Sequence, residues 1–306
     1  MIIGVLKENG ADEARVAASP GSIQKLVGMG HQVIVETRAG VRANFPDASF
    51  EAAGAQIGSL DEVIDRANLF LKVDPPTLEE ISDLPTDSII ICFLWPEANE
   101  TQVQLLRRRN ITSIAMDCVP PIAEAKHLNA QRSMASVAGY RAVIEAANEF
   151  GSFLGEQIEA ARTAPPSKVL VVGAGAAGQA AISAAIGLGA IVKVVDRRSA
   201  LKDQIESMGA EFLDLDFIQS DEAQPGSVST MSEEWNAAKM TLVADLAPEV
   251  DIIIAAEPTD ERPATQWIDR EMVASMKPGS VIVDLAAGQG GHCELTRSNE
   301  KVISYN

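Results

Sequence analysis

The chain has 306 residues, 46% of them hydrophobic, with 25 Lys and Arg against 43 Asp and Glu and a formal net charge of −18. This length implies two domains, because single cores rarely grow past about 250–300 residues. The acidity excludes long-range attraction to nucleic acid or to an anionic membrane and mainly supports solubility. From the N-terminus, strands are predicted at Ile2–Leu6, Gln32–Glu36, Leu69–Val73, Ser88–Leu94 and Ile111–Met116. Helical patterns fall between them at Pro20–Met29, Asp47–Ala53, Leu60–Arg66 and Glu100–Arg109. Such alternation implies a parallel sheet covered on both faces. Ser19-Pro20 is a helix start, with Ser as N-cap and Pro at the first helical position.

Ser133–Arg162 reads as one long Ala- and Glu-rich helix, with Val137, Tyr140, Val143, Ile144 and Ala147 at helical spacing. Thr163-Ala-Pro-Pro-Ser167 ends it, so the helix is expected to bridge two domains with a hinge near Pro165-Pro166. The predicted organisation is a first α/β domain of substrate-binding or catalytic type at 1–132, the bridge at 133–166, and a nucleotide-binding domain at 167–306. Further strands are predicted at Phe212–Leu215, Val250–Ala255, Ser280–Leu285 and Lys301–Ser304, and Ile218–Ser232 reads as a mobile surface loop. A ligand is expected at the carboxyl ends of the strands, in a cleft between the domains.

No apolar run reaches the ~18–20 residues needed to span a bilayer. Met1-Ile-Ile-Gly-Val-Leu6 enters a strand without a basic leader region. Cys92, Cys118 and Cys293 are isolated and lack metal-ligand spacing, which fits reduced thiols in a cytoplasmic protein with no metal.

The chemistry concentrates in Lys168-Val-Leu-Val-Val-Gly-Ala-Gly-Ala-Ala-Gly-Gln-Ala-Ala181 and Ile191-Val-Lys-Val-Val-Asp196. Strand, glycine turn, small-residue helix, strand and terminal acid follow one another. Gly173 permits a tight turn, Gly175 lets backbone approach a pyrophosphate, and Gly178 lets the helix pack close to the sheet. The helix opens at Ala176 and Ala177, where free N–H groups can meet phosphates. Asp196 lies 23 residues after Gly173, where a carboxylate accepts an adenosine ribose diol and repels a 2′-phosphate, implying NAD. Arg197-Arg198 could stack on adenine or attract a phosphate, or be a solvated strand end. Asp284 ends another buried strand and reads equally as a turn residue or a ligand.

Longer motifs carry a resemblance: Glu13-Ala-Arg-Val-Ala-Ala-Ser-Pro20, Leu71-Lys-Val73, Phe93-Leu-Trp-Pro96, Ala138-Gly-Tyr-Arg-Ala-Val-Ile-Glu-Ala-Ala147, Ser207-Met-Gly-Ala-Glu-Phe-Leu213 and Met276-Lys-Pro-Gly-Ser-Val-Ile-Val-Asp-Leu-Ala286. Along nearly its whole length the chain resembles the alanine dehydrogenase and pyridine-nucleotide transhydrogenase superfamily. It is most similar to the soluble NAD(H)-binding component of proton-translocating transhydrogenase. The resemblance implies two Rossmann-like parallel-sheet domains joined by the long helix, NAD on the second, and a homodimer built on the fingerprint domain. It also implies a return helix after the last strand, whereas this sequence stops at Tyr305-Asn306.

Alanine dehydrogenases grip a 2-oxo acid with an arginine and a lysine, whose positions are Arg15 and Lys72 here. Their histidine and aspartate positions fall on Trp95 and Gly288, so the usual acid–base pair is missing. Transhydrogenases carry an Arg–Gln–Asp set before the long helix; those positions read Pro121, Lys126 and Asn129, with Arg132 in place of a serine. The mobile-loop tyrosine falls on Ser227, and Ile-Pro-Gly is replaced within Pro258-Thr-Asp-Glu-Arg262.

Arg15, Lys72 and His292 are therefore the candidate catalytic residues. The two cations could hold a carboxylate, or be paired with Glu8, Glu13 or Asp74. His292, after Gly290-Gly291, is the histidine placed to serve as an acid–base group. His31 reads as structural, His127 as a loop residue beside Lys126, and Trp95 as a wall or core aromatic. Three functions follow. The first is NADH passing a hydride to NADP on a partner subunit associated with the membrane; the second is a stand-alone dehydrogenase or imine reductase of a small anionic amino or 2-oxo acid. The third is a catalytically silent NAD module.

Overall fold

The computed structural model describes residues 1–10, 13–119, 128, 130–159, 162–215, 233–258 and 264–304. It divides into two compact units, Met1–Ala130 and Gln131–Asn306.

The first unit runs β1 (Ile2–Val5), α1 (Pro20–Gly28), β2 (Gln32–Glu36), α2 (Asp47–Ala52), β3 (Gln56–Gly58), α3 (Leu60–Arg66), β4 (Leu69–Leu71), α4 (Leu78–Asp83), β5 (Ile89–Cys92), α5 (Glu100–Arg108) and β6 (Thr112–Ala115). Its strands form one parallel sheet in the order β3-β2-β1-β4-β5-β6. Helix starts follow local chemistry. Ser19 accepts from Ser22 N with Pro20 behind it, and Ser59/Glu62 and Thr77/Glu80 form reciprocal capping boxes. The short β3 and α4 are additions to the elements the sequence predicts.

The second unit contains α6 (Ala130–Glu149), β7 (Gln157–Glu159), β8 (Arg162–Ala164), β9 (Lys168–Val172), α7 (Ala176–Gly187), β10 (Ile191–Val195), α8 (Lys202–Ser207), β11 (Glu211–Phe212), α9 (Glu233–Leu246), β12 (Ile252–Ala255), α10 (Arg270–Ser275) and β13 (Val281–Asp284). The sheet is parallel in the order β11-β10-β9-β12-β13, so strand order reverses between β9 and β12. Leu170, Val171 and Val172 are fully buried. Each contributes roughly 1.5–3 kcal/mol by leaving water. This central strand reads as a continuous apolar run because both its faces are covered.

Two expectations need correction. The long helix stops at Glu149, not Arg162, and an antiparallel hairpin of β7 and β8 follows. Ala and Glu favour helix, but Gly151 and Gly155 interrupt the run, and a β-carbon at Gly155 would lie 2.9 Å from Leu188 O. The helix packs within the second unit: a β-carbon at Gly139 would lie 1.9 Å from Ala177 O, so α6 crosses the start of α7 with backbone against backbone. Lys301–Ser304 is not a strand, and all four residues are exposed. The expected loop at Ile218–Ser232 lies outside the described residues. Among the described residues no helix is long and apolar enough to cross a membrane.

Candidate dinucleotide site

β9 delivers its chain into Gly173, which sits at φ 95° and donates its N–H to Val195 O at 2.8 Å. A β-carbon there would strike Glu257 N at 2.7 Å, so only glycine fits both the dihedral and the space. Gly178 is equally constrained, since its β-carbon would lie 1.8 Å from Gly173 O. Gly175 differs: it is the extended N-cap of α7, carries no side-chain cap, and its missing β-carbon faces open space. Ala176 and Ala177 then open a helix whose first turn contains no acid. Small residues thus leave the helix N-terminus accessible to an anion.

Asp196 follows β10 and is almost wholly buried. One carboxylate oxygen accepts Ala174 N at 2.6 Å and Arg198 Nη2 at 2.8 Å; the other accepts Arg198 N and Nε, both at 2.8 Å. Burial alone would raise this carboxyl, but the Arg198 guanidinium and the two backbone N–H groups hold it below the ordinary aspartate value. The guanidinium that grips Asp196 belongs to Arg198; the predicted Arg197 lies half-buried beside it.

At the strand-order reversal the chain leaves β12 through Ala256 and Glu257. The Glu257 carboxylate pairs with Lys239 of α9, and both side chains are buried. The Lys239 ammonium lies 4.8 Å from the centre of the Trp267 ring, which in turn packs 5.5 Å from the His292 ring. His292 is buried, with Nδ1 2.9 Å from Thr265 O and Nε2 3.1 Å from Glu257 O. With both nitrogens occupied by main-chain carbonyls, the imidazole holds backbone together and offers no open acid–base position, a correction to its expected role. Asp284 serves the adjacent turn, accepting from Ala286 N, His292 N, Cys293 N and Thr296 Oγ1.

In the first unit, Lys72 is buried against Glu8 at 2.8 Å and Glu80 at 3.5 Å. Glu8 also accepts Val73 N and Asp74 N. Arg15 makes a two-point pair with Glu13 and lies 5.8 Å over the Phe93 ring. Burial, then Glu13, push the Asp74 carboxyl up. Both cations are thus paired with carboxylates, the second of the two readings open in the sequence. Trp95 stacks on Phe93 and adopts φ 46°, a strained dihedral for a bulky residue, held by Asp117, which accepts both Leu94 N and Trp95 N.

Pro121, Lys126, His127, Asn129 and Ser227, with residues 259–262, lie outside the described residues; Arg132 is exposed on α6. Among the described residues no group of three His, Cys, Asp or Glu is arranged to hold a metal ion. Sequence reasoning named Arg198 but not its grip on Asp196, and it missed Asp117 and the Lys239–Glu257 pair. The one available signal was an acid, Glu257, placed directly after the wholly apolar run 252–256.

Models of the "Alanine dehydrogenase/PNT" N-terminal and C-terminal domains match residues 4–138 and 142–306. The chain belongs to the alanine dehydrogenase/PNT family. Within it, the whole chain is 48% identical to the NAD(P) transhydrogenase subunit alpha of Haemophilus influenzae and spans 60% of that relative's length. It is 33% identical to an alanine dehydrogenase of Halomonas elongata, covering all of this chain and 80% of that one. A solved transhydrogenase structure from Sinorhizobium meliloti matches with a TM-score of 0.85 and 36% identity, over 96% of this chain and 81% of that chain. The family members it resembles are oxidoreductases, and the transhydrogenases stand nearer in identity than this alanine dehydrogenase.

Proposed function

We propose that this chain is the NAD(H)-binding component of a transhydrogenase, working with a partner subunit that binds NADP(H). The observation that carries the reading is the joined geometry of the fingerprint turn: Asp196 gripping Ala174 N beside the open face of Gly175 and the uncapped start of α7. These residues fit a dinucleotide. Ala176, Ala177 and Gly178 would receive the pyrophosphate, Asp196 the adenosine ribose, and its negative charge disfavours a 2′-phosphate. Arg198 must yield part of its hold on Asp196 to admit the diol, so the guanidinium competes with ribose for one carboxylate. NAD would supply the hydride; the chain's own residues bind, orient and exclude water, with no covalent step.

The alternative of a small anionic substrate held by Arg15 and Lys72 is weaker. Each cation already has a carboxylate partner, which a second anion would have to displace. An apolar strip of Val137, Tyr140 and Ile144 on α6, flanked by Ala184 and Leu188 of α7, supports a homodimer built on the second unit. We assign the chain to the cytoplasm, where its three unpaired cysteines would stay reduced.

The test is a titration of the purified chain with NADH and with NADPH, followed by turnover with an NADP analogue and a cognate NADP(H)-binding domain. A parallel assay offers 2-oxo acids with ammonia. Preferential NADH binding and turnover only with the NADP partner are expected. Turnover with a 2-oxo acid alone would replace the proposal with the stand-alone dehydrogenase, and absence of NADH binding would end both.

A further inference from the structure

We propose that Lys239, Glu257 and His292 form a buried positioning cluster, clamping the exit of β12 onto the fingerprint turn so that dinucleotide affinity depends on it. The inference rests on the dinucleotide reading above and assigns residues that the reading itself does not use.

The argument begins with what is expensive. Lys239, Glu257 and His292 are 1%, 6% and 3% exposed. Replacing a buried ion pair by apolar residues of similar volume is often neutral or stabilising. Stability therefore does not explain the charges here, whereas directional restraint does. Glu257 is seized at both ends. Its carboxylate meets Lys239 Nζ, and its carbonyl lies 3.1 Å from His292 Nε2.

The opposite nitrogen, Nδ1, reaches Thr265 O. Carbonyl oxygens only accept, so a ring N–H on either side donates to the carbonyl it faces and fixes the ring between Glu257 and Thr265. The His292 carbonyl accepts from Trp267 N at 2.9 Å and Ile268 N at 3.0 Å, and its N–H reaches Asp284 at 2.7 Å. One residue thus ties the ends of β12 and β13 to the chain at Thr265–Ile268. The clamp bears directly on the cofactor turn, because a β-carbon on Gly173 would lie 2.7 Å from Glu257 N and 2.9 Å from Ala256 C. Movement of residue 257 must move Gly173, and with it the N–H groups of Ala174 and Gly175.

The experiment compares the full chain with the double variant Lys239→Met/Glu257→Leu. It reads the thermal midpoint, the NADH dissociation constant and the imidazole N–H proton resonances, which three histidines make assignable. The expected result is a folded double variant melting near the parent. Its NADH binding should be weakened about tenfold, the scale of a small misplacement of positioning groups. The parent should show a slowly exchanging His292 ring N–H signal, and the double variant should lose its protection. If the double variant does not fold, Glu257→Gln keeps the backbone contact while removing the charge, and weakened NADH binding is again expected. A folded variant that binds NADH like the parent overturns the inference and leaves the dinucleotide reading standing. A parent that does not bind NADH overturns both.

Discussion

The two sheets repeat one construction and differ at a single joint. In each, a carboxylate at the end of the second strand accepts the N–H just past the first: Glu36 takes Lys7 N at 2.8 Å, and Asp196 takes Ala174 N at 2.6 Å. After that joint they part. The first unit passes from Lys7 to a helix that begins only at Pro20, whereas Gly173-Ala-Gly175 leads straight into α7 at Ala176. A strand-end acid is therefore a property of the fold. A phosphate-accepting helix start directly after a glycine turn is the property of a site.

The same contrast recurs in the buried ion pairs just past the fourth strand of each sheet. Glu8 anchors Lys72 and two backbone N–H groups, so Glu8→Leu should orphan both N–H groups, leave Lys72 with Glu80 alone and cost about 4–5 kcal/mol. Glu257→Leu removes the buried carboxylate that faces Lys239 and should cost about 3 kcal/mol. Denaturant midpoints of the two variants test the ranking, and equal losses would remove the distinction between network and pair. The sharper form uses double variants. Lys239→Met/Glu257→Leu should recover most of the loss, whereas Lys72→Met/Glu8→Leu should not, because Val73 N and Asp74 N still lack an acceptor.

The acids at the joint should separate by ligand. Asp196→Asn removes a charge-assisted acceptor, and NADH binding is expected to weaken by about 1.5–3 kcal/mol, tenfold or more. Glu36→Gln should leave NADH affinity unchanged. Calorimetric titration of both variants checks this, and a comparable loss in Glu36→Gln would mean that the first sheet contributes to the same ligand.

How much of this was legible follows from the range of each interaction. The fingerprint could be read because Gly173 and Gly178 have local steric reasons and Gly175 stands at the helix start between them. Strands β9 and β12 could be read because burial on both faces leaves an apolar run. The end of α6 could not, since Ala and Glu continue past Glu149 and the break depends on Gly155 meeting Leu188. Gly139 sat in a recognisable motif, yet its purpose lies across the packing with Ala177. Arg198 was displaced by one residue from the prediction because the turn after β10 brings its main-chain N–H and its guanidinium back to Asp196 together. Lys239 and Glu257 lie on a helix and a strand end whose meeting no spacing rule encodes. The carboxylate partners of Arg15 and Lys72 were among the readings open in sequence, and the structure pairs them with Glu13 and Glu8.

The smallest expected effect tests the two buried lysines through pH. For Lys72, burial opposes the charge but Glu8 and Glu80 outweigh it, so its ammonium is held above the ordinary lysine value of 10.5. For Lys239, burial outweighs Glu257 and the ammonium is held below 10.5. The signs are opposite. Between the lowered value of Lys239 and 10.5 the unfolded chain binds the extra proton, so stability at this site rises with pH and the gain is complete above 10.5. At Lys72 the folded chain binds the extra proton from 10.5 up to its raised value, so its contribution is full below 10.5 and is lost as pH passes through that value. Melting curves on the alkaline side should therefore diverge. Lys239→Met should lack the parent's gain below 10.5, and Lys72→Met its loss above it. Parallel pH profiles for parent and both variants would mean that the two pairs are electrostatically equivalent, and the contrast between the Glu8 network and the Lys239–Glu257 clamp would then rest on hydrogen bonding alone.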